Sequence, residues 1–368
     1  MRNSFLIAIR NLFGERGRLV ITAGGVAFSV TLILVLLGLY QGWNNQITRF
    51  LGSIDADYWV GQQGSRDISH SVSLLPANME SSLRRQPSID KLNIFVGRQV
   101  SFKKNGKEIR VLLVGTKKDG IIKPYKIVKG KEIPDRDEII IDEITAKQEK
   151  LKIGDEIEIN GTKLKIVGIS SGGNILIYSY AFADLSDTRK ILGLSDFTNF
   201  FLISSNNRGL LEADLKSVDP NLEIMTKQEF LDNNSAIIKD TFLPIIGVLL
   251  LIAVIIGIVV IGLTIYTATI EKSQEYGVLK AIGYSNSALY IIAFLQSMIS
   301  GIIGLVIGNL LTIVVVWLAK SYVGNFIYEV GARELIAVAV LTLAMAILAS
   351  LIPLKRLFSI DPANVFKA

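Results

Sequence analysis

The side chains that most often do chemistry are scarce in this chain of 368 residues, which has no cysteine and a single histidine, His70. That pair of facts excludes a disulfide framework, a thiol nucleophile, a Cys-built zinc or iron–sulfur site and any His-Glu-x-x-His motif. His70 lies in a polar stretch, 61–76, dominated by Gly, Gln and Ser, and reads as a solvated loop histidine. A phosphate-cradling P-loop needs Gly-x-x-x-x-Gly-Lys-Ser/Thr. Gly106-Lys107 and Gly130-Lys131 lack the upstream glycine and the following hydroxyl residue; Gly115 and Gly120 have the spacing, but Ile121 follows. Acid pairs such as Asp135/Asp137 and Asp142/Glu143 stand among lysines and read as solvated charge. The sequence therefore assigns no catalytic residue, no metal ligand and no cofactor to this chain.

Two stretches carry more information. Residues 271–285 run Glu-Lys-Ser-Gln-Glu-Tyr-Gly-Val-Leu-Lys-Ala-Ile-Gly-Tyr-Ser. Val278, Leu279 and Ile282 are expected on one face of a short amphipathic helix ended by Gly283. Such an element suits docking into a groove of a partner. Further on, Ser300, Gly304 and Gly308 recur every four residues with Ser297 and Gly301 alongside. Small residues at that spacing let helices approach closely in a membrane, either within one chain or between two copies. Gly24-Gly25 and Gly257/Gly262 are weaker instances.

The elements that position these stretches are legible from where charge is missing. Half of the residues are hydrophobic and 20% are charged, but the two classes are segregated. Residues 19–48, 241–270, 285–319 and 335–354 carry no charge, and each contains the roughly 20 apolar residues a bilayer span needs. The expected spans are 19–40, 242–267, 289–318 and 335–354. The first lacks a small-x-small cleavage site before Gln41 and reads as an uncleaved anchor rather than a signal peptide. Basic residues outnumber acidic ones in 1–18, 268–288 and 355–368 by nine to four, whereas 41–241 holds 28 basic and 27 acidic residues and 319–334 is balanced. The positive-inside rule then puts both termini and the 268–288 segment in the cytoplasm, with 41–241 and the short 319–334 loop outside. The basic balance reports topology and not nucleic-acid binding. No charge lies deep in any span, which argues against proton- or sodium-driven transport by this chain.

Residues 41–241 are expected to form an α+β domain. Short β-rich runs lie at 57–61, 92–102, 108–115 and 138–141, and helices are expected at 145–151, 182–192 and 208–218. Asn160-Gly161 between alternating apolar runs in 153–169 is a hairpin signal. Residues 42–51 extend the first span outward. Thr226 and Glu229 have capping-box spacing for a helix leading into the second span past Pro244, so the domain sits on two stalk helices.

The connector resembles the Glu-Ile-Gly-x-Leu-Arg-Ala-x-Gly-Ala motif that follows the second span of the MacB/FtsX-like ABC-transporter permeases (type VII ABC superfamily). The Ala8-Ile9-Arg10-Asn11-Leu12 start is similar to that family's amphipathic N-terminal helix, and Asp361-Pro362-Ala363 through Val365 resembles its C-terminal signature. The layout of one span, a large external domain and three further spans agrees. The resemblance implies a stand-alone permease, with no ATPase fused to it, in the inner or plasma membrane of a prokaryote. Its partners would be separate cytoplasmic ABC ATPases, which hold the ATP and Mg, and a second copy of the chain, a homodimer before a heterodimer. A membrane-fusion adaptor is a further candidate partner. It carries an ATPase-coupling role onto Glu271, Glu275, Tyr276, Gly277, Val278, Leu279, Lys280, Ala281 and Gly283; Tyr276 departs from the family's aliphatic residue. The implied activity is extrusion of a lipophilic or peptide-like substrate by mechanotransmission. A non-transporting transmitter that activates cell-wall hydrolases, and a membrane receptor or adhesin without an ATPase, are the competing readings.

Overall fold

The computed structural model describes residues 2–68, 72–104, 106–175, 178–322 and 326–358. They fall into two compact units, one built from the two ends of the chain and one from Trp43–Thr241.

The first unit is helical. An N-terminal helix (Arg2–Gly14) precedes the first long helix (Arg16–Ser53), and the second long helix (Lys227–Glu271) is followed by a connector helix (Ser273–Ala281). A third (Asn286–Tyr322) and a fourth (Ala332–Ser350) long helix lead to a short closing helix (Leu354–Phe358). All four long helices are long and apolar enough to cross a membrane. At 1.5 Å per residue the first two measure roughly 57 and 68 Å, about twice the hydrocarbon thickness, so several turns of each must leave the lipid.

Helices in lipid gain nothing from hydrophobic exclusion and associate through close packing of small faces. That is what the third long helix does. A Cβ at Gly304 would stand 2.5 Å from Val26 Cβ, and one at Gly308 would stand 2.7 Å from Val30 Cβ, both on the first long helix. Gly301 faces Ala346 of the fourth in the same way, at 3.1 Å. The close approach lets the Thr31 hydroxyl donate to the Gly308 carbonyl at 3.0 Å. The surrounding core includes Ile33, Ile261, Ile265, Leu289, Ile292 and Val338. On the first long helix, Gly38 and Gly42 receive Tyr328 and Ile327 from the segment before the fourth, and Glu329 N donates to Gly38 O at 3.1 Å.

The second unit is mixed α/β. An antiparallel four-stranded sheet has the order Leu222–Thr226, Tyr58–Gln62, Phe200–Ser204, Lys91–Phe95. A mixed eight-stranded sheet runs Gly97–Lys104, Lys107–Thr116, Tyr178–Asp184, Glu138–Asp142, Thr162–Ser171, Lys126–Gly130, with Glu156–Ile159 and Asn174–Ile175 pairing at its side. Its two parallel pairings are Lys107–Thr116 with Tyr178–Asp184 and Glu138–Asp142 with Thr162–Ser171. The hairpin read from Asn160-Gly161 is present: both residues have positive φ (47° and 77°), and Ile157 pairs with Leu164.

Three readings of this unit need correction. Asp142, read as solvated charge, is 1% exposed and caps the helix Glu143–Gln148 by accepting from Ile144 N at 2.9 Å. The run 92–102 is two strands in different sheets, broken at Val96. The crossing is held by buried Asn199, which accepts from Gly97 N at 2.8 Å and donates to Ser73 O at 2.9 Å. Phe182 does not begin a helix. It lies in the strand Tyr178–Asp184, and the helix starts at Leu185, capped by Asp184 accepting from Ser186 N at 2.8 Å.

The outer turns of the two long helices belong to this unit. Phe50 packs on Tyr180 and Phe182 of the larger sheet, with ring centroids 4.6 and 5.2 Å away. Phe230 stacks on Trp59 of the smaller sheet at 4.0 Å and meets Phe200 edge-on at 5.2 Å. The capping box forms: Glu229 N donates to Thr226 Oγ1 at 3.2 Å, and Thr226 N donates to Glu229 Oε2 at 2.7 Å. The helix then continues without a break through Pro244.

Candidate functional site

The connector is short, two-faced and firmly seated on one side. The second long helix ends at Glu271, and Lys272 departs from helical backbone (φ −93°, ψ 17°) before the connector begins. Its far end is stopped by a Schellman arrangement. Gly283 N donates to Lys280 O at 3.0 Å and Tyr284 N donates to Leu279 O at 2.9 Å, with Gly283 at φ +100°. Only glycine takes that backbone without strain.

Tyr276 and Gly277 form the seated face. Tyr276 is 2% exposed, and its hydroxyl bonds Asn11 of the N-terminal helix and Gln296 of the third long helix. Burial, with lesser contributions from Glu275 and Glu15, pushes the phenol up to about 12, so it is a neutral hydrogen-bonding group at physiological pH. Leu279 packs against the same core. This separates it from Val278 and Ile282, with which it was expected to share a face. The open face is instead Glu275, Val278, Ala281 and Ile282, with Ile282 69% exposed. Three apolar side chains beside one carboxylate form a small exposed ridge.

Lys280 turns away from that ridge and donates to the Phe358 carbonyl at 3.3 Å, holding the end of the closing helix. Glu271 pairs with Arg18 of the first long helix. Of the small-residue stripe, Gly304 and Gly308 lie against the first long helix and Gly301 against the fourth, all within one chain. Ser297 and Ser300 are buried in the same unit, their hydroxyls without a hydrogen-bond partner among the described residues. His70 and the 361–365 signature lie outside the described residues.

Sequence reasoning missed the groups that hold the connector in place: Asn11, Glu15, Arg18 and Gln296. Glu15 carried a signal, as the one acid among four arginines before the first span. Gly38-x-x-x-Gly42 was also readable, as a second close-approach motif.

Four helices long and apolar enough to cross a membrane, with a mixed α/β domain between the first two, define a multi-pass membrane protein. The comparisons with known proteins narrow this. Residues 19–216 match the MacB-like periplasmic core domain and residues 247–362 the FtsX-like permease C-terminal domain. The chain belongs to the MacB/FtsX-like ABC-transporter permeases. It is 22% identical over 371 residues to an uncharacterized ABC transporter permease of Mycobacterium tuberculosis, covering 98% of each chain. It is 23% identical over 335 residues to a Staphylococcus epidermidis protein named as a hemin transport system permease, HrtB, covering 90% of each. Among solved structures, the periplasmic region of MacB from Actinobacillus actinomycetemcomitans aligns at 13% identity and a TM-score of 0.37, over 48% of this chain and 91% of that one.

Proposed function

We propose that this permease couples ATP hydrolysis by a separate cytoplasmic ATPase to movement of its external domain, and so extrudes a lipophilic or peptide-like substrate. The observation that carries the reading is the two-faced connector. A helix fixed by Tyr276 and Gly277 and open at Glu275, Val278, Ala281 and Ile282 can take a push from a protein docked on its ridge. Helix-in-groove docking uses this kind of apolar anchor spacing. The connector end of the spans faces the cytoplasm, where the excess of lysine and arginine lies. Hydrolysis resides in the partner, and two copies of this chain share two ATPases.

Two features support extrusion driven by motion rather than conduction. Residues 43–53 and 227–241 are bolted to the external domain by Phe50 and Phe230, and each belongs to a helix that continues as a span. The spans carry no charge in their apolar middles to line an aqueous path. The name of the Staphylococcus epidermidis relative puts hemin among the lipophilic candidates.

The test is retention of the ATPase on the full-length chain. Glu275→Lys with Ile282→Asp changes two exposed side chains, leaving the seated face intact. It should reduce co-purified ATPase at least tenfold while the chain stays folded in the membrane. Undiminished co-purification would overturn the reading. A native complex that stimulates a bound cell-wall hydrolase with no substrate movement would favour the signal-transmitter reading instead.

A further inference from the structure

We infer that Glu15, Arg18, Glu271 and Lys272 form a ring of four charges that pins the two helix junctions together, so that connector movement reaches the first long helix as well as the second. The inference rests on the connector role proposed above and adds positioning residues to it. Glu15 occupies the junction between the N-terminal helix and the first long helix, where its carbonyl accepts from Leu19 N at 3.1 Å. Glu271 and Lys272 occupy the junction between the second long helix and the connector. Arg18 pairs with both Glu15 and Glu271. Lys272 Nζ lies 3.1 Å from Glu15 Oε1 and donates to Asn11 Oδ1 at 3.2 Å. Acid and base alternate, and one peptide bond closes the ring between Glu271 and Lys272.

Three properties suit the ring to transmission. Its net charge is zero, which lowers the cost of placing it at the ends of the first two membrane spans. Three of its side chains are largely covered, at 21% exposed for Arg18, 29% for Glu15 and 17% for Lys272, so salt screens it less than a surface pair. It also joins two places where the helices are interrupted, and a bend transmits force only if it is braced. Glu15, Arg18 and Lys272 also line a small cavity of about 20 Å³ together with Thr22, Ala268 and Ser300, so little free volume separates the charges from the helices they join. Without the brace, a push on the connector would swing Lys272 and leave the first long helix where it was. With it, both helices that enter the external domain are driven by one stroke.

The absence of native cysteine makes the test clean. Spin labels at Phe13→Cys and Ala281→Cys, both exposed positions, report the distance between the N-terminal and connector helices in full-length chain held in lipid nanodiscs. The native ring should give a narrow distribution and Glu15→Lys one at least twice as broad. Inverting all four charges, with Glu15→Lys, Arg18→Glu, Glu271→Lys and Lys272→Glu, should narrow it again. In the reconstituted complex with its ATPase, Glu15→Lys should hydrolyse ATP within twofold of native while export falls at least tenfold, and the inversion should recover export. An unchanged distribution in Glu15→Lys, parallel loss of hydrolysis and export, or an inversion that recovers neither readout overturns the inference. If the native chain binds no ATPase, the function proposed above fails on that observation alone, and the label distances still decide whether the ring is a pin.

Discussion

The two long helices flanking the external domain are held in different ways at their two ends. At the outer end the contacts are dry and aromatic: Phe230 on Trp59, and Phe50 on Tyr180 and Phe182. At the connector end they are ionic and amphipathic, through Glu15, Arg18, Glu271, Lys272 and the Tyr276 hydroxyl. Close-packed aromatic contacts are geometrically specific and lose energy steeply when displaced. Ion pairs tolerate more change of geometry than packed rings, and here three of the four charged side chains are largely covered, so they hold as a set rather than singly. The contrast is one of chemistry: ring packing fixes the outer end, and paired charges with one buried phenol fix the connector end.

The rigid side of this comparison breaks most severely at Trp59. It is 1% exposed and touches Phe95, Phe200 and Phe230. Trp59→Ala should destabilise the external domain by about 3–5 kcal/mol, seen as a lowered Tm by circular dichroism of the full-length chain. If the loss is below about 1 kcal/mol, the outer grip is not the packed joint described. Overpacking the helix contacts comes next. Gly304→Val would drive a branched side chain into Val26 and the Ala23 carbonyl, at 2.5 and 3.1 Å from the new Cβ. About 1–3 kcal/mol should be lost, and thermal unfolding in detergent micelles measures it.

Asn199→Ala leaves the Gly97 amide and the Ser73 carbonyl without their partner, which should cost about 1–3 kcal/mol in denaturant unfolding. At the connector end the effects are smaller. Gly283→Ala forces a side chain into φ +100°, costing about 1–2 kcal/mol. It should misdirect the connector and lower ATPase activity per mole of bound ATPase. Tyr276→Phe removes the bonds to Asn11 and Gln296, with an expected loss of about 1 kcal/mol. The same tyrosine gives a pH signature. Burial raises its pKa from the ordinary tyrosine value of 10.0 to about 12, so its contribution to stability is complete below pH 10 and lost as pH rises through 12. Tyr276→Phe should abolish that part of the alkaline decline.

Much of the architecture was legible because bilayers impose a coarse rule. Runs 19–48, 241–270, 285–319 and 335–354 are charge-free, and a helix is the economical way for them to satisfy their backbone in lipid. The hairpin at Asn160-Gly161 was legible because a tight turn with two positive φ angles needs those residue types. The strands Tyr178–Asp184 and Phe200–Ser204 were not. Their residues are buried on both faces, so they lack the alternation that betrays a half-buried strand. The sheet change at Val96 depends on Asn199, about a hundred residues away, and no local pattern encodes that. For the connector, the sequence located the element and the resemblance supplied a role. Which side faced outward depended on Asn11 and Gln296, which lie on other helices.

Hydrolysis in a partner is proposed to become movement of the external domain through the connector ridge. That coupling is tested most directly by labelling exposed Lys129→Cys in that domain and Tyr322→Cys at the end of the third long helix, and measuring their separation in nucleotide-free and ATP-trapped complexes. The distance distribution should shift on trapping, and the shift should vanish when Glu275→Lys and Ile282→Asp are added. An identical distribution in both nucleotide states, with ATP still being hydrolysed by the bound partner, would contradict it.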